Sequence, residues 1–389
     1  MSYIKTLTER DYAAIFELSQ FAFQYALSEA ELRKKEEEAG RHIIWGWMSN
    51  DELAAKLHLI PLTCYINGRV FEMGGISAVA TWPEYRRQGA IKDLLHHALT
   101  YMKEQGQTIS FLHPFSFHFY RKYGWETAFV EKHYAIPLNK LKRTWDAEGY
   151  VRRVHEGFGM LHDIYTIYAS QFNGPLVRDE KWWNQRVIKA HDQVAAAYGN
   201  NDQPEAYIIY QVKNEVFTVK ELVYNTLNGR KQLLKFVANH DSMVEKVEMT
   251  VPEYDNLPLL VDEPGFDQKL QPYFMARIVD VRRFLEQYPF QPVNNQPLPA
   301  LQVEDAFMPE NNGTYQLMKS GDKTDVTCLK TSTGEDAIQC TVQQLASMLM
   351  GYKRPMELYQ TGLIFGSQKQ LEILEQIIPN RQTYLSDFF

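Results

Sequence analysis

The segment Gly74–Gly106 reads GGISAVATWPEYRRQGAIKDLLHHALTYMKEQG, and its two halves follow different periodicities. Gly75-Ile76-Ser77-Ala78-Val79-Ala80-Thr81 is rich in small and β-branched residues and stops at Pro83, the pattern of a buried strand. From Ala90 onward the apolar positions are Ile91, Leu94, Leu95, Ala98, Leu99 and Met102, one continuous stripe on a helix. Gly106 supplies a left-handed stop. Between strand and helix lies Arg86-Arg87-Gln88-Gly89-Ala90. A short loop opening a helix points unpaired backbone N–H groups outward at the positive end of the helix dipole, which makes a receptor for phosphate oxygens. Gly89 lets the backbone approach closely and the arginines add charge; a solvated basic turn is the competing reading.

With 389 residues, two or three domains are expected. The hydrophobic share of 45% and the charged share of 23% belong to a globular chain that buries large cores. Cys64, Cys328 and Cys340 are widely spaced with no Cys-x-x-Cys pair, which argues against a disulfide framework or a zinc site and fits a reducing cytoplasm. The chain opens into polar sequence around Thr8-Glu9-Arg10-Asp11, with no apolar signal segment and no membrane-length run, so a cytoplasmic protein is expected. A formal net charge of −7 argues against general nucleic-acid binding and is compatible with a small cationic substrate.

Taken in order, Thr8 precedes a helical pattern through Ala13, Ile15, Phe16 and Leu18 that continues into Phe21–Tyr25, whose aromatic cluster Phe21, Phe23, Tyr25 is read chiefly as core packing, and a charged helix is expected over Ser28–Glu38. Strands are expected at Ile43–Trp47 and Ala54–Ile60, then a hairpin over Asn67-Gly68, which is the strongest short turn signal in the chain. After the Gly74–Gly106 unit come a strand at Thr108–Leu112 and a short helix over Phe117–Tyr123. A second unit begins near Tyr150. It has a helix at Leu161–Ser170, a strand pair at Ala206–Tyr210 and Phe217–Tyr224, and a helix at Lys231–His240. Its loop Asn225–Arg230 lacks an arginine-then-glycine phosphate pattern. The proline-rich stretch Gln287–Pro299 reads as a linker to a mixed third unit, with strands at Leu301–Val303 and Thr314–Leu317 and helices at Val342–Gly351 and Lys369–Ile378.

The loop resembles the acetyl-CoA pyrophosphate loop of the Gcn5-related N-acetyltransferases, the GNAT superfamily, with Arg86 and Gly89 in place and Ile91 where a small residue is usual. Phe119-Tyr120-Arg121-Lys122-Tyr123-Gly124-Trp125 resembles a second element of that superfamily. More narrowly, Tyr85–Gly89, Leu176-Val177-Arg178 with Trp182-Trp183, Tyr273–Val281 and the terminal Asp387-Phe388-Phe389 resemble the Eis (enhanced intracellular survival) family over the whole chain.

That resemblance implies an α+β chain of two fused GNAT-like domains, the second degenerate, followed by a sterol-carrier-protein-like domain. The implied ranges are 1–149, 150–286 and 287–389. It implies a homohexamer and acetylation of amines, aminoglycosides among them, with acetyl-CoA as co-substrate and no metal. By position, acetyl-CoA lies on Val79, Ala80 and Thr81, with its pyrophosphate on Arg87, Gln88, Gly89, Ala90, Ile91 and Lys92 and its thioester near Phe115 and Ser116. Tyr120 is then the general acid and the α-carboxylate of Phe389 the general base.

The chemistry agrees. A primary amine of lysine type (pKa ~10.4) is protonated at neutral pH and must lose a proton before it attacks, while the leaving thiolate must gain one. A chain-end carboxylate of pKa ~3.3–3.7 needs burial to become a useful base. Taken without the resemblance, Phe388-Phe389 reads as a hydrophobic tail docked in a core. Glu72, Glu126, His113 and His118 are further candidates for assisting the base, and His96-His97 do not share a helix face as metal ligands would. Two competing functions remain at this level: an acyl-CoA or lipid-binding module without turnover, and acetylation of lysines in peptides or proteins.

Overall fold

The computed structural model describes residues 2–141, 144–155, 159–292, 297–321, 323–329 and 337–389. Three two-residue turns have both central residues at positive φ, the geometry that joins antiparallel strands with the correct twist. They are Asn50-Asp51 (φ 49° and 66°), Asn67-Gly68 (49° and 78°) and Asn214-Glu215 (51° and 63°). The first two link β2 (Ile43–Ser49), β3 (Glu52–Ile66) and β4 (Arg69–Thr81) into a meander. The two strands expected over Ala54–Ile66 are one strand of 15 residues. A further strand, β1 (Ser2–Leu7), pairs with β2; its short polar sequence hides it from periodicity.

The apolar stripe of α3 (Ala90–Glu104) lies buried on this sheet, and β5 (Ile109–Leu112) returns parallel to β4, completing a crossover unit. Two more helices, α1 (Tyr12–Phe23) and α2 (Glu29–Ala39), pack with Leu7, Ile44 and Met48 of the same sheet in a separate core, α2 being opened by a capping box between Ser28 and Glu31. The sheet has seven strands, and one of them comes from far along the chain: Met275–Ile278 inserts beside β5 and pairs with Glu126–Thr127 on its other side. In exchange, Val130–Pro137 joins the second sheet, between Lys246–Pro252 and Asp267–Pro272. The chain therefore passes from the first sheet to the second near Ala128–Phe129 and returns near Tyr273–Phe274, inside the ranges 1–149 and 150–286 drawn from the sequence.

The second sheet also has seven strands. It repeats the crossover, with parallel strands Val216–Tyr224 and Lys246–Pro252 joined through the helix Leu227–Ala238. The third unit is a four-stranded sheet packed against helices Val342–Met350, Pro355–Gln360 and Gln368–Ile377. Of the stretch expected to be a linker, residues 293–296 lie outside the described residues, while Tyr288 and Phe290 are buried in a core shared with the first sheet, so this part is packed. Met348 and Met350 are fully buried in that same core. Arg277 ties the units together, donating to Asp305 at 2.5 Å and to the carbonyl of Tyr123. Among the described residues, no helix is long and apolar enough to cross a membrane, and no group of His, Cys, Asp and Glu is arranged to hold a metal.

Candidate active site

The pairing of β3 with β4 slips between Lys56 and His58, so that two residues of β4 oppose one of β3. Ala78 sits in this bulge with φ 48°, a left-handed conformation that a small side chain tolerates. β4 stays paired with β3 on both sides of the bulge, while its pairing with β5 ends at Ile76 and Leu112, and Ala78 and Val79 beyond that point line a cleft of about 480 Å³. That volume is of the order of small-ligand sites, roughly 300–1,000 Å³. The floor is Ile76–Val79 of β4 with His58 of β3, and the walls carry Phe16, Phe23 and Tyr25 from α1 and its exit, with Lys35 and Glu38 from α2. His113, Pro114, Phe115 and Tyr120 close one side, and Arg186, Phe388 and Phe389 enter from the rest of the chain.

Of the residues expected at the site, the structure brings Val79, Phe115, Tyr120 and Phe389 onto this one cleft. Ala80 and Thr81 continue β4 beyond it. Ser116 acts locally, its hydroxyl oxygen accepting from the Phe119 N–H at 3.3 Å to start α4 (Phe117–Arg121), which carries Tyr120. The Tyr120 ring is buried, and this burial pushes its hydroxyl pKa well up, so it stands as a neutral O–H donor at neutral pH. Beyond β4 the chain turns through Arg87 (φ 65°) and Gly89 (φ 89°) into α3. Arg87, Gln88 and Lys92 are exposed, and a Cβ placed at Gly89 meets open space within 4 Å. The first N–H groups of α3, from Ala90, Ile91 and Lys92, have no intrahelical acceptor, so this end of the helix suits the two phosphates of a nucleotide-linked thioester. Loop, bulge and cleft follow one another along the chain, an arrangement that fits acetyl-CoA.

The glutamates weighed as bases stand elsewhere. Glu72 is exposed, and Glu126 is held by Arg121 at 2.6 Å; neither lines the cleft. His113 lines it, packed against Phe388 (5.1 Å) and Tyr273 (5.4 Å), and partial burial pushes its pKa down. His118 is exposed on α4. The cluster read chiefly as core is a wall: Phe23 and Tyr25 face the cleft and are exposed, and Phe21 packs on Trp82 at 4.7 Å.

The tail reaches the cleft because the second sheet grips it. Arg178 is buried, ion-paired with Glu221 at 2.7 Å and Asp387 at 3.1 Å, and stacked on the Tyr165 ring at 3.9 Å. The Trp182 indole N–H donates to Asp387 at 2.7 Å, and the Tyr273 hydroxyl donates to the Asp387 carbonyl at 3.1 Å. The Phe389 ring then seats against Phe274 (4.9 Å) and directly over Gly75, where an added Cβ would lie 2.7 Å from the ring. Sequence reasoning quoted Arg178, Trp182 and Asp387 within a family pattern without giving them work. It missed Lys56, His58 and His42 altogether, although Lys56 and His58 interrupt an apolar strand on one face.

A GNAT acetyltransferase domain model matches residues 3–128, a second matches 174–278, and a sterol carrier protein domain model matches 281–386. The chain carries two GNAT acetyltransferase domains. They precede its sterol carrier protein domain. A conserved protein of unknown function from Enterococcus faecalis V583 is 26% identical with a TM-score of 0.94, and a GCN5-related N-acetyltransferase from Anabaena variabilis is 25% identical with a TM-score of 0.88, each covered over 100% of both chains. Eis1 of Mycobacterium abscessus has a TM-score of 0.82 over 100% of both chains; at 19% identity this likeness speaks for the fold. An uncharacterized N-acetyltransferase of Streptomyces griseus is 24% identical over 130 residues, which span 31% of each protein.

Proposed function

We propose that this GNAT protein transfers an acetyl group from acetyl-CoA to a primary amine of a small acceptor. The observation that carries the reading is the convergence of Tyr120, Phe389 and the bulged backbone of β4 on one cleft, on the strand that runs into the open N-terminus of α3. Acetyl-CoA supplies an acyl group already activated as a thioester. Arg87 through Lys92 hold its pyrophosphate, Val79 to Thr81 its pantetheine arm, and Phe115 and Ser116 flank the thioester end.

Tyr120 donates a hydrogen bond to the leaving sulfur and then its proton. Burial raises the tyrosine pKa, but the same dry surroundings raise that of the thiol. The ordinary gap of ~1.5 units, ~2 kcal/mol, therefore persists, and a hydrogen bond to a charged group is strong enough to offset it. The α-carboxylate of Phe389 orients the acceptor ammonium and draws on its proton, its basicity increased by burial among Trp182, Phe274 and the cleft walls. Lys35 and Arg186 share the single carboxylate of Glu38, at 3.1 and 3.6 Å, and the rest of the lining is largely aromatic and apolar.

Aminoglycosides are the acceptor class to try first, beside polyamines, simple alkylamines and lysine peptides. Purified protein is expected to release thiol from acetyl-CoA only when a suitable amine is present; no release with any of the panel ends the proposal. Adding one or two residues after Phe389 is expected to abolish turnover while acetyl-CoA affinity is kept. Full activity of that extended chain removes the carboxylate from the mechanism. A homohexamer in the cytoplasm completes the proposal, and a sedimentation mass other than six chains refutes the assembly.

A further inference from the structure

Lys56 and His58 are two apart on β3 and so share a face of the strand. Lys56 is fully buried, with Nζ 3.0 Å from Nε2 of His58 and donating to the Ala78 carbonyl at 3.0 Å. Nδ1 of His58 is 3.1 Å from Nδ1 of His42. Both ring nitrogens of His58 are thus engaged, and Nε2 of His42 is the open end of the chain. His42 and His58 both line the cleft. His42 also borders a second, solvent-open depression beside Thr8 and Arg10.

A buried amine is costly when charged, and burial alone brings Lys56 down to about 7, so its neutral form is available near neutral pH. His42 is pushed down to about 3, by burial first and then by Arg186, Lys56, Lys35 and Arg41. His58 is pushed well below the ordinary range by burial, Lys56, His42 and Lys35. Glu38, also on the cleft wall, is engaged with Lys35 and Arg186. A proton entering this chain therefore comes to rest on Lys56.

The bonding permits two orientations. With Lys56 neutral, its lone pair accepts from His58 Nε2–H, His58 Nδ1 accepts from His42 Nδ1–H, and His42 Nε2 presents a lone pair. With Lys56 as an ammonium it can only donate. His58 then carries its hydrogen on Nδ1 and His42 on Nε2. One proton taken up at His42 Nε2 converts the first state into the second, each ring passing on the hydrogen it held and Lys56 gaining one.

We propose that Lys56, His58 and His42 are a proton wire that deprotonates the acceptor ammonium, with Lys56 as the terminal base. This rests on the N-acetyltransferase reading. The acceptor's R–NH3⁺ becomes R–NH2 as the wire gains one proton. As the amide forms, Tyr120 gives its proton to the departing thiolate and is restored by the second nitrogen proton, and the wire returns its proton to solvent through His42. An ordinary chain-end carboxylate, of pKa ~3.3–3.7, is a far weaker base than an amine at about 7, so Lys56, in place of the Phe389 carboxylate first assigned as base, receives the proton, and Phe389 keeps only the positioning of the ammonium.

The test compares an alkylamine, charged at neutral pH, with an aromatic amine that is already neutral there. Below about 7 Lys56 is protonated and the wire points outward, so kcat/KM of the parent protein for the alkylamine falls as pH drops through that value. Lys56→Met, which keeps the volume and removes the base, is expected to lower kcat/KM for the alkylamine at neutral pH by about 100-fold or more, with recovery as pH approaches the amine's own pKa. Acetylation of the aromatic amine stays near the parent rate. His42→Gln, at the partly exposed end, is expected to discriminate between the amines in the same way and does not depend on tolerance of a core change. Variants that keep the parent's pH profile and its ratio of alkylamine to aromatic amine overturn the wire. A parent protein that acetylates neither amine overturns the acetyltransferase reading, and the wire with it.

Discussion

Gly89 and Thr226 stand at matching places, each starting the helix that crosses between two parallel strands of its GNAT sheet. At Gly89 the chain arrives through a loop with two left-handed residues and leaves the helix N-terminus open. At Thr226 a two-residue connection ends in a side-chain cap, the Thr226 oxygen accepting from the Gly229 N–H at 2.9 Å. The Glu205 carboxylate occupies the position beside it, accepting from Thr226 at 2.5 Å and Asn228 at 2.9 Å. The second helix thus carries its own anion where the first leaves room for a phosphate. The Arg178 cluster gives the second domain a different task, holding the C-terminal tail in the first domain's cleft. One fold, used twice, divides into a domain with an open helix N-terminus and cleft and a domain that braces.

The hardest way to break this division is to cut the brace. Arg178→Met leaves Asp387 and Glu221 as buried carboxylates without their cation, and loss of roughly 3–5 kcal/mol in denaturant unfolding is expected, with turnover lost as the tail is released. Stability unchanged within error separates the tail from the second domain. Two substitutions in the first domain act on the cleft alone. Gly75→Val fills the seat of the Phe389 ring, and a displaced tail is expected to cost about 100-fold in kcat with acetyl-CoA affinity retained. Tyr120→Phe removes only a hydroxyl and is expected to lower kcat by about 100-fold or more at unchanged affinity; a rise in KM with normal kcat assigns the ring to binding instead.

Arg87→Ala is expected to weaken acetyl-CoA binding by about tenfold, measured by calorimetry, with less loss at high salt because the contact is exposed. Its counterpart in the braced domain, Thr226→Ala, is expected to cost about 1 kcal/mol of stability through the lost cap and to leave acetyl-CoA affinity untouched. An effect of Thr226→Ala on affinity erases the contrast between the two helices.

Much of the first domain is legible in the chain. The turn at Asn67-Gly68, the stripe from Leu94 to Met102 and the glycine at 89 are local signals, set by which φ a residue tolerates and which face it buries, so they survive without tertiary context. The wall formed by Phe23 and Tyr25 was harder to see, because an aromatic residue serves equally in a core and at a cleft. Ser2–Leu7 and Val130–Pro137 show weak alternation as isolated segments and become strands by pairing with neighbours distant in sequence. Lys56 within an apolar strand is a visible anomaly, but His42, which meets the His58 bonded to it, lies on the chain leading into another strand.

By itself the sequence determined the strand–helix–strand unit of the first domain and the open turn at Gly89, because each depends on short-range sterics and on which face a residue buries. The tertiary structure alone decided that Met275–Ile278 crosses into the first sheet, that Arg178 seizes Asp387, and that Lys56, His58 and His42 meet. Those are long-range pairings selected by the burial and hydrogen bonding of the assembled chain, and no local propensity encodes them.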